Sequence, residues 1–297
     1  MMPRQASGTA EFMALFRALE SVRPAHQRLF VDPYARHFLR PSLGKAVRLA
    51  RVPVLGAFVY RCLDHFFRGA HTSAIARTCL IDEVWCQALH DGIRQIVILG
   101  AGFDCRAYRM PETGSATVFE VDHPTTLAAK LKGLNQLIPV IPANVRLVEI
   151  DFNRQSLPEV LAEAGFDASL PALFVWEGVT NYLTPDAVDS MLRYLGTRAP
   201  GSQVVFTYVD RGALDGSVYF EGAAEILRDV ARLGEPWTCG FSPAELPDFL
   251  RQRGLELDRD AGAREYRAQF LGRRARNATG YEFYHVAVAH VAEKASG

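Results

Sequence analysis

The sequence predicts an α/β protein: a doubly wound, mostly parallel sheet preceded by a helical segment. Three observations carry this. From about residue 94, strand-like apolar runs alternate with helix-start signals, the pattern of successive crossover units. The first run, Ile96-Val97-Ile98-Leu99, is a β-branched block of the kind buried on both sheet faces. It ends in Gly100-Ala101-Gly102, where no Cβ keeps the backbone from a ligand. The next three runs each close on an acid: 116–122 on Asp122, 145–151 on Asp151 and 173–177 on Glu177. Ligands of open parallel sheets bind beyond the carboxyl ends of the strands. Three carboxylates there point to a site for hydroxyl and amino groups, as on a nucleoside.

The elements follow in order. Phe12, Leu15, Phe16 and Leu19 recur at i, i+3, i+4 and i+7, one face of a helix. Asp32-Pro33 reads as an N-cap with proline at the first helical position, opening Tyr34 to Leu39. Another helix starts near Thr72 or Ser73 and carries Ile75, Cys79, Ile81 and Trp85 toward the sheet. Residues 1–90 therefore read as a helical cap and 91–297 as the ligand-binding domain. Strands are expected to end at Gly100, Asp122, Asp151 and Glu177, with a fifth over Gln203–Val209. Helix starts are expected at Ser156-Leu157-Pro158-Glu159, with capping-box spacing, and at Thr184-Pro185-Asp186. A further helix is expected from Ser242-Pro243-Ala244-Glu245 to about Gly254. Two late runs, Leu255–Arg259 and Phe283–His290, read as a hairpin appended to the sheet edge.

Composition narrows the function classes. The 297 residues contain 33 Lys+Arg and 33 Asp+Glu, so the whole-chain charge offers no general affinity for nucleic acid or an anionic membrane. Five cysteines without CxxC spacing argue against a disulfide framework or a zinc site and for a reduced, cytoplasmic setting. The N-terminus lacks a signal-peptide core, and apolar stretches such as Val52–Tyr60 are too short to span a bilayer. The Arg-rich stretch holding Arg264, Arg267, Arg273, Arg274 and Arg276 reads as a solvated loop.

A nicotinamide dinucleotide site and an S-adenosylmethionine site begin alike, so Asp122 at the second strand end fits either. Three features favour the methyl donor. The third glycine of GxGxxG would fall at Cys105, leaving the pyrophosphate fingerprint incomplete. Asp104 places a negative charge where a dinucleotide puts its phosphates. Asp151 can accept from an adenine amino group. Each residue also has a plainer reading. Arg77 fits an exposed side chain or a partner of Asp82, and Asp122 fits a helix cap before Pro124. Asp151 fits a cap of the turn before Ser156, and Gly100 and Gly102 fit a tight turn alone. Trp176, Tyr182 and Tyr208 read as packing aromatics.

The chain resembles the leucine carboxyl methyltransferase family, including its bacterial small-molecule branch, over nearly its whole length. The motifs are Ala76-Arg77-Thr78 with Ile81-Asp82; Leu99-Gly100-Ala101-Gly102-Phe103-Asp104-Cys105-Arg106; Glu120-Val121-Asp122-His123-Pro124; Asp151-Phe152; and Glu177-Gly178-Val179 with Tyr182-Leu183. The resemblance implies a Rossmann-like class I methyltransferase sheet of seven strands, antiparallel at the last. It implies S-adenosyl-L-methionine as cofactor. It further implies that Arg77 pairs with the donor's carboxylate, that Gly100 and Gly102 allow close backbone approach, and that Asp122 holds the ribose. Asp151 and Phe152 would hold the adenine, and Glu177 would face the donor's amino group; Asp104, beside the glycine turn, completes the residues expected to bind the cofactor.

The expected reaction is methyl transfer to an oxygen, a carboxylate or a hydroxyl, of a small natural product. A carboxylate needs no general base, whereas a hydroxyl does. His123, His285 and Tyr208 are the nearest candidates, and none stands in a catalytic setting that nominates it. Trp176, Thr180 and Asn181 depart from the commoner family pattern near the expected acceptor pocket, which favours a small molecule over a protein C-terminus. The competing readings are a protein carboxyl methyltransferase, an NAD(P)-dependent oxidoreductase and a non-catalytic binder of the donor. No metal, nucleic-acid or membrane partner is expected, and the oligomeric state is left open.

Overall fold

The computed structural model describes residues 8–67, 69–151 and 154–292. They form a seven-stranded sheet of β1 (Gln95–Leu99), β2 (Thr117–Asp122), β3 (Val145–Glu149), β4 (Leu173–Trp176), β5 (Gln203–Val209), β6 (Leu255–Gly262) and β7 (Tyr284–Val291). Their spatial order is β3-β2-β1-β4-β5-β7-β6. Strands β1 to β5 pair in parallel, and β7 lies antiparallel between β5 and β6. The order reverses between β1 and β4, so the crevice that such sheets use for ligands opens there. The glycine turn and Glu177 flank that crevice.

The closing strands are not a tight hairpin. A helix and a 3-10 segment, Gly272–Asn277, separate them, and β7 threads back between β5 and β6. Strand β6 thus runs in the same direction as β5 and reaches Gly262, beyond the expected Arg259. Both sheet faces are covered at β7, Val286 and Val288 lying in one core cluster and Ala287 and Ala289 in the other, so all four are buried.

Ahead of the sheet lie α1 (Gly8–Ser21), α2 (Pro41–Ala50), α3 (Pro53–Phe66) and α4 (Ala70–His90). The crossover helices are α5 (Arg106–Arg109), α6 (Pro124–Leu134), α7 (Leu157–Glu163) and α8 (Pro185–Gly196). The late helices are α9 (Arg211–Asp215), α10 (Ala223–Arg232), α11 (Leu246–Arg251) and α12 (Ala263–Leu271). The capping signals fare unevenly. Asp32 Oδ1 accepts from the N–H groups of Tyr34 (3.0 Å) and Ala35 (2.9 Å), although only a 3-10 turn, Ala35–Phe38, follows. Thr184 Oγ1 caps α8 from Ala187 N–H at 3.3 Å. Ser156 makes no side-chain cap bond, and Ser242 contributes only its carbonyl, to Glu245 and Leu246, so α11 starts late at Leu246.

One apolar core crosses the expected boundary near residue 90. Leu15, Phe16 and Leu19 of α1 pack with Ile75, Ile81 and Trp85 of α4 and with Ile96, Ile98, Val205 and Val286 of one sheet face. Leu161, Leu192, Leu195, Leu246 and Leu250 cover the other face. Full burial of each such side chain contributes roughly 1.5–3 kcal/mol, so α1 and α4 are integral to the sheet's packing. The Arg-rich stretch is not uniformly solvated. Arg267 is buried, donating to the carbonyls of Ala263, Ala278 and Gly280, and Arg274 pairs with Glu20 at 2.9 Å.

Candidate functional site

The site begins where β1 ends. Gly100 has φ +68°, and a Cβ there would stand 2.6 Å from Val179 Cγ2, so both backbone and space demand glycine. The N–H groups of Gly100 and Ala101 donate to Val121 O at 2.9 and 3.0 Å, tying the turn to β2. Asp122, the last residue of β2, reaches back across it: Oδ2 accepts from Gly102 N–H and Oδ1 from His123 N–H, both at 2.6 Å. The cap of α6 falls instead to His123, whose ring nitrogen accepts from Thr125 N–H at 3.3 Å. A carboxylate has about four lone-pair sites, so Asp122 keeps acceptor capacity for ligand hydroxyls.

Beyond β4 stands Glu177, held between two arginines. Oε1 accepts from Arg77 Nε at 2.8 Å and Oε2 from Arg106 Nη1 at 2.9 Å. Arg77 is therefore neither exposed nor paired with Asp82. It is 4% exposed, lies over the Tyr284 ring at 4.8 Å and touches Met13 Sδ at 3.4 Å. Arg106 also binds Asp104 and, through Nε, Asp82 at 2.8 Å, while Arg109 closes on Asp82 at 2.6 Å. Three arginines thus balance three carboxylates across α4, the glycine turn, α5 and the end of β4. Burial opposes charge on Glu177, but Arg106 and Arg77 outweigh it and hold the carboxyl below its usual range. Burial also opposes charge on Asp104, yet Arg106 and Lys130 pull it down to about 2. Asp104 stays anionic and orients Arg106.

The remaining expected residues are placed as follows. Asp151 lies past β3, its N–H donating to Gln155 Oε1 at 2.9 Å and its carboxylate 3.7 Å from Arg154. Its carbonyl accepts from the N–H groups of Arg154 and Gln155, closing the turn. Phe152 lies outside the described residues. Of the three base candidates, His123 is engaged as the α6 cap. Tyr208 donates to Asp260 at 2.6 Å, with His285 stacked on it at 4.9 Å and 3.2 Å from the same carboxyl. They follow Thr207 and Tyr284, which meet at 3.3 Å, so strand alternation turns them to the opposite face from Arg77.

Several neighbours had no signal in the sequence. Tyr284 and Tyr281 stack at 5.7 Å, Trp237 lies 6.1 Å from Tyr284 and 6.4 Å from Tyr182, and together they wall the Arg77 side of the crevice. Tyr281 holds φ +63°, which costs a non-glycine residue roughly 1–2 kcal/mol and fixes its ring against Tyr284. Beside this wall, buried Asn181 has both amide atoms without a hydrogen-bond partner among the described residues, as has Trp237 Nε1.

The sequence profile of the leucine carboxyl methyltransferase family matches residues 10–196, which contain the strands up to β4 with Arg77, the glycine turn, Asp122, Asp151 and Glu177. A Streptomyces coelicolor protein named for S-adenosyl-L-methionine-dependent methyl transfer is 35% identical over 274 residues, 87% of this chain and 90% of that one. A similarly named Mycobacterium avium protein is 43% identical over 131 residues, 44% of this chain and 43% of its own. Among solved structures, a Thermobifida fusca protein described as a methyltransferase has a TM-score of 0.57 at 20% identity, covering 93% of this chain and 97% of that one. A DUF574 family protein from Streptomyces avermitilis has a TM-score of 0.52 at 16% identity, covering 96% and 97%. At those identities the structures show the shared fold alone. The profile match and the Streptomyces coelicolor relative show more: this chain belongs to the leucine carboxyl methyltransferase family.

Proposed function

We propose that this protein is an S-adenosyl-L-methionine-dependent methyltransferase acting on an oxygen of a small natural product, with a carboxylate as the preferred acceptor. One observation carries the reading. The Arg77–Glu177 pair, at 2.8 Å with Arg77 buried and Glu177 partly open to the crevice, is the charge complement of an amino-acid head group, offering a cation to its carboxylate and an anion to its ammonium. Asp122 would hold the ribose hydroxyls, Gly100 would admit the backbone-proximal part of the donor, and Asp151 would accept from adenine. Anionic Asp104 beside the turn disfavours a pyrophosphate there. Bound in this crevice, the donor supplies an electrophilic methyl group on a positively charged sulfur.

The chain's own task is then orientation and exclusion of water. The aromatic wall of Tyr281, Tyr284 and Trp237 would align the acceptor against the crevice. Burial, first of all, raises the hydroxyls of Tyr281 and Tyr284, so neither is suited to take a proton. Glu177 and Asp104 are committed to arginines, and Tyr208 and His285 face away. An acceptor that arrives already ionised fits this surface best. Incubating the protein with the donor and a panel of aromatic carboxylic acids, polyketide phenols and peptides with free C-termini, read by mass spectrometry, tests the reading. Methyl esters of the acids are expected; products from the peptides alone would transfer the assignment to a protein acceptor. Calorimetric binding of NADH in place of the methyl donor would refute it.

A further inference from the structure

The chain's net neutrality conceals a local segregation of charge. Between Asp32 and Asp64 lie Arg36, Arg40, Lys45, Arg48, Arg51 and Arg61 and not one acid. Arg40 is paired with Glu11 at 3.1 Å, but Lys45, Arg48, Arg51 and Arg61 are exposed without an ion-pair partner among the described residues. The same surface carries large apolar side chains in water: Val54 is 81% exposed, Phe66 76% and Phe58 65%, with Leu49, Val52 and Leu55 beside them. Along α2 and its end, Lys45, Arg48, Leu49 and Val52 fall at i, i+3, i+4 and i+7. Along α3, Val54, Phe58, Arg61 and His65 share one face. Basic and apolar groups are therefore interleaved on the exposed faces of α2 and α3, the composition of a segment that lies in the interface of a bilayer. Phe58 and Phe66 also line a cleft of about 260 Å³ that continues past Leu43, Ala46, Val59 and Leu63, among other apolar residues. It offers a dry slot for an acyl chain.

We propose that the α2–α3 surface docks on an anionic lipid leaflet, its apolar side chains entering the acyl boundary and its basic side chains meeting the head groups. A second copy of the chain fits this surface poorly. A two-fold interface sets the same patch against itself, which would bring Lys45, Arg48, Arg51 and Arg61 against their own equivalents. A leaflet supplies both an apolar interior and negative charge. Docking there would present the crevice, through α1 and its Phe12–Met13 edge, to acceptors dissolved in the lipid.

The test is co-sedimentation of the full chain with vesicles of phosphatidylcholine alone and of phosphatidylcholine mixed with phosphatidylglycerol. Binding is expected only to the mixed vesicles and should weaken as salt is raised. An R48E/R51E double variant should partition at least about tenfold more weakly, because each basic residue near such a surface contributes several-fold. A V54D/F58D double variant should also detach. Both variants should retain the affinity of the unaltered protein for S-adenosyl-L-methionine, measured by calorimetry, so loss of the lipid face is separable from loss of the donor site. No sedimentation with mixed vesicles, equal sedimentation with both kinds, or an R48E/R51E variant that binds as before would each overturn the proposal. So would a dimer, seen by light scattering, that Val54→Asp splits.

Discussion

Replacing Arg77 by methionine separates the structural role of the Arg77–Glu177 pair from its proposed binding role. The substitution keeps much of the side chain's apolar bulk and deletes the charge. Removing one member of a buried pair costs about 3–5 kcal/mol when the other is left alone. Glu177, however, keeps Arg106 at 2.9 Å, and its side chain is 20% exposed. A loss of about 2–3 kcal/mol is therefore expected, and at roughly 2–4 °C per kcal/mol for a chain of this size the Tm should fall by roughly 5–10 °C. Affinity for S-adenosyl-L-methionine should fall by more than this loss explains. A charge-assisted contact to the donor's carboxylate is worth roughly 1.5–3 kcal/mol, a tenfold to hundredfold rise in Kd at temperatures where the variant is fully folded. The R77M/E177Q double variant sharpens the distinction. Charge balance returns to the network, so the double variant should be more stable than the two single effects added together predict. Donor affinity should nevertheless drop further, because both head-group contacts are gone. Scanning fluorimetry and calorimetric titration read the two quantities. An R77M protein with a lowered Tm and unchanged donor affinity would refute the binding role and leave Arg77 as a packing residue.

Further expectations concern the rest of the crevice. Asp122→Ala should weaken donor binding by about 1–3 kcal/mol, since both of its oxygens accept backbone N–H groups and the ribose contact is lost as well; calorimetry checks this. Gly100→Ala should cost about 1–2 kcal/mol for its positive φ and a further ~1–3 kcal/mol for the approach to Val179, and Val179→Ala should restore only the second part, as read by Tm. Asp104 has its carboxyl lowered from 3.8 to about 2 in the fold, so its stabilisation is complete above pH 3.8 and lost as pH falls through about 2. That loss amounts to about 2 kcal/mol and should be absent from the acid-unfolding curve of Asp104→Asn. Asn181→Leu, which removes two buried polar atoms with no partner among the described residues, should leave Tm unchanged or raised; a fall would mean the amide has a stabilising partner.

The sheet was legible because its strands are local apolar blocks with ends marked by glycine or an acid. The fourth strand ends at Trp176, one residue before the acid read as its close, and the third at Glu149, before Asp151. What the sequence concealed is contact at long range. Arg77 and Glu177 meet across a separation of 100 positions, and Arg106 joins them from 71 positions away. Nothing in either neighbourhood distinguishes that pairing from one with Asp82. Tyr284 reaches Arg77 only because β7 inserts beside β5, an arrangement that two late apolar runs do not specify. Ser156 and Ser242 show the limit of capping signals: Ser156 is the N-cap residue of α7, as its spacing implies, but makes no side-chain cap bond, and α11 starts only at Leu246, after Ser242. The buried Arg267 makes the same point in reverse, since carbonyls from Ala263, Ala278 and Gly280 gather around it only in the folded chain.

Acidic and basic groups at the sheet's crevice are proposed to grip a cationic nucleoside donor. The most direct measurement is a crystal structure of the protein grown with S-adenosyl-L-homocysteine. The product's carboxylate should lie on Arg77, its ammonium on Glu177 and its ribose on Asp122, with the adenine toward Asp151. Density for the product elsewhere, or a crevice that stays unchanged at saturating concentration, would contradict the account.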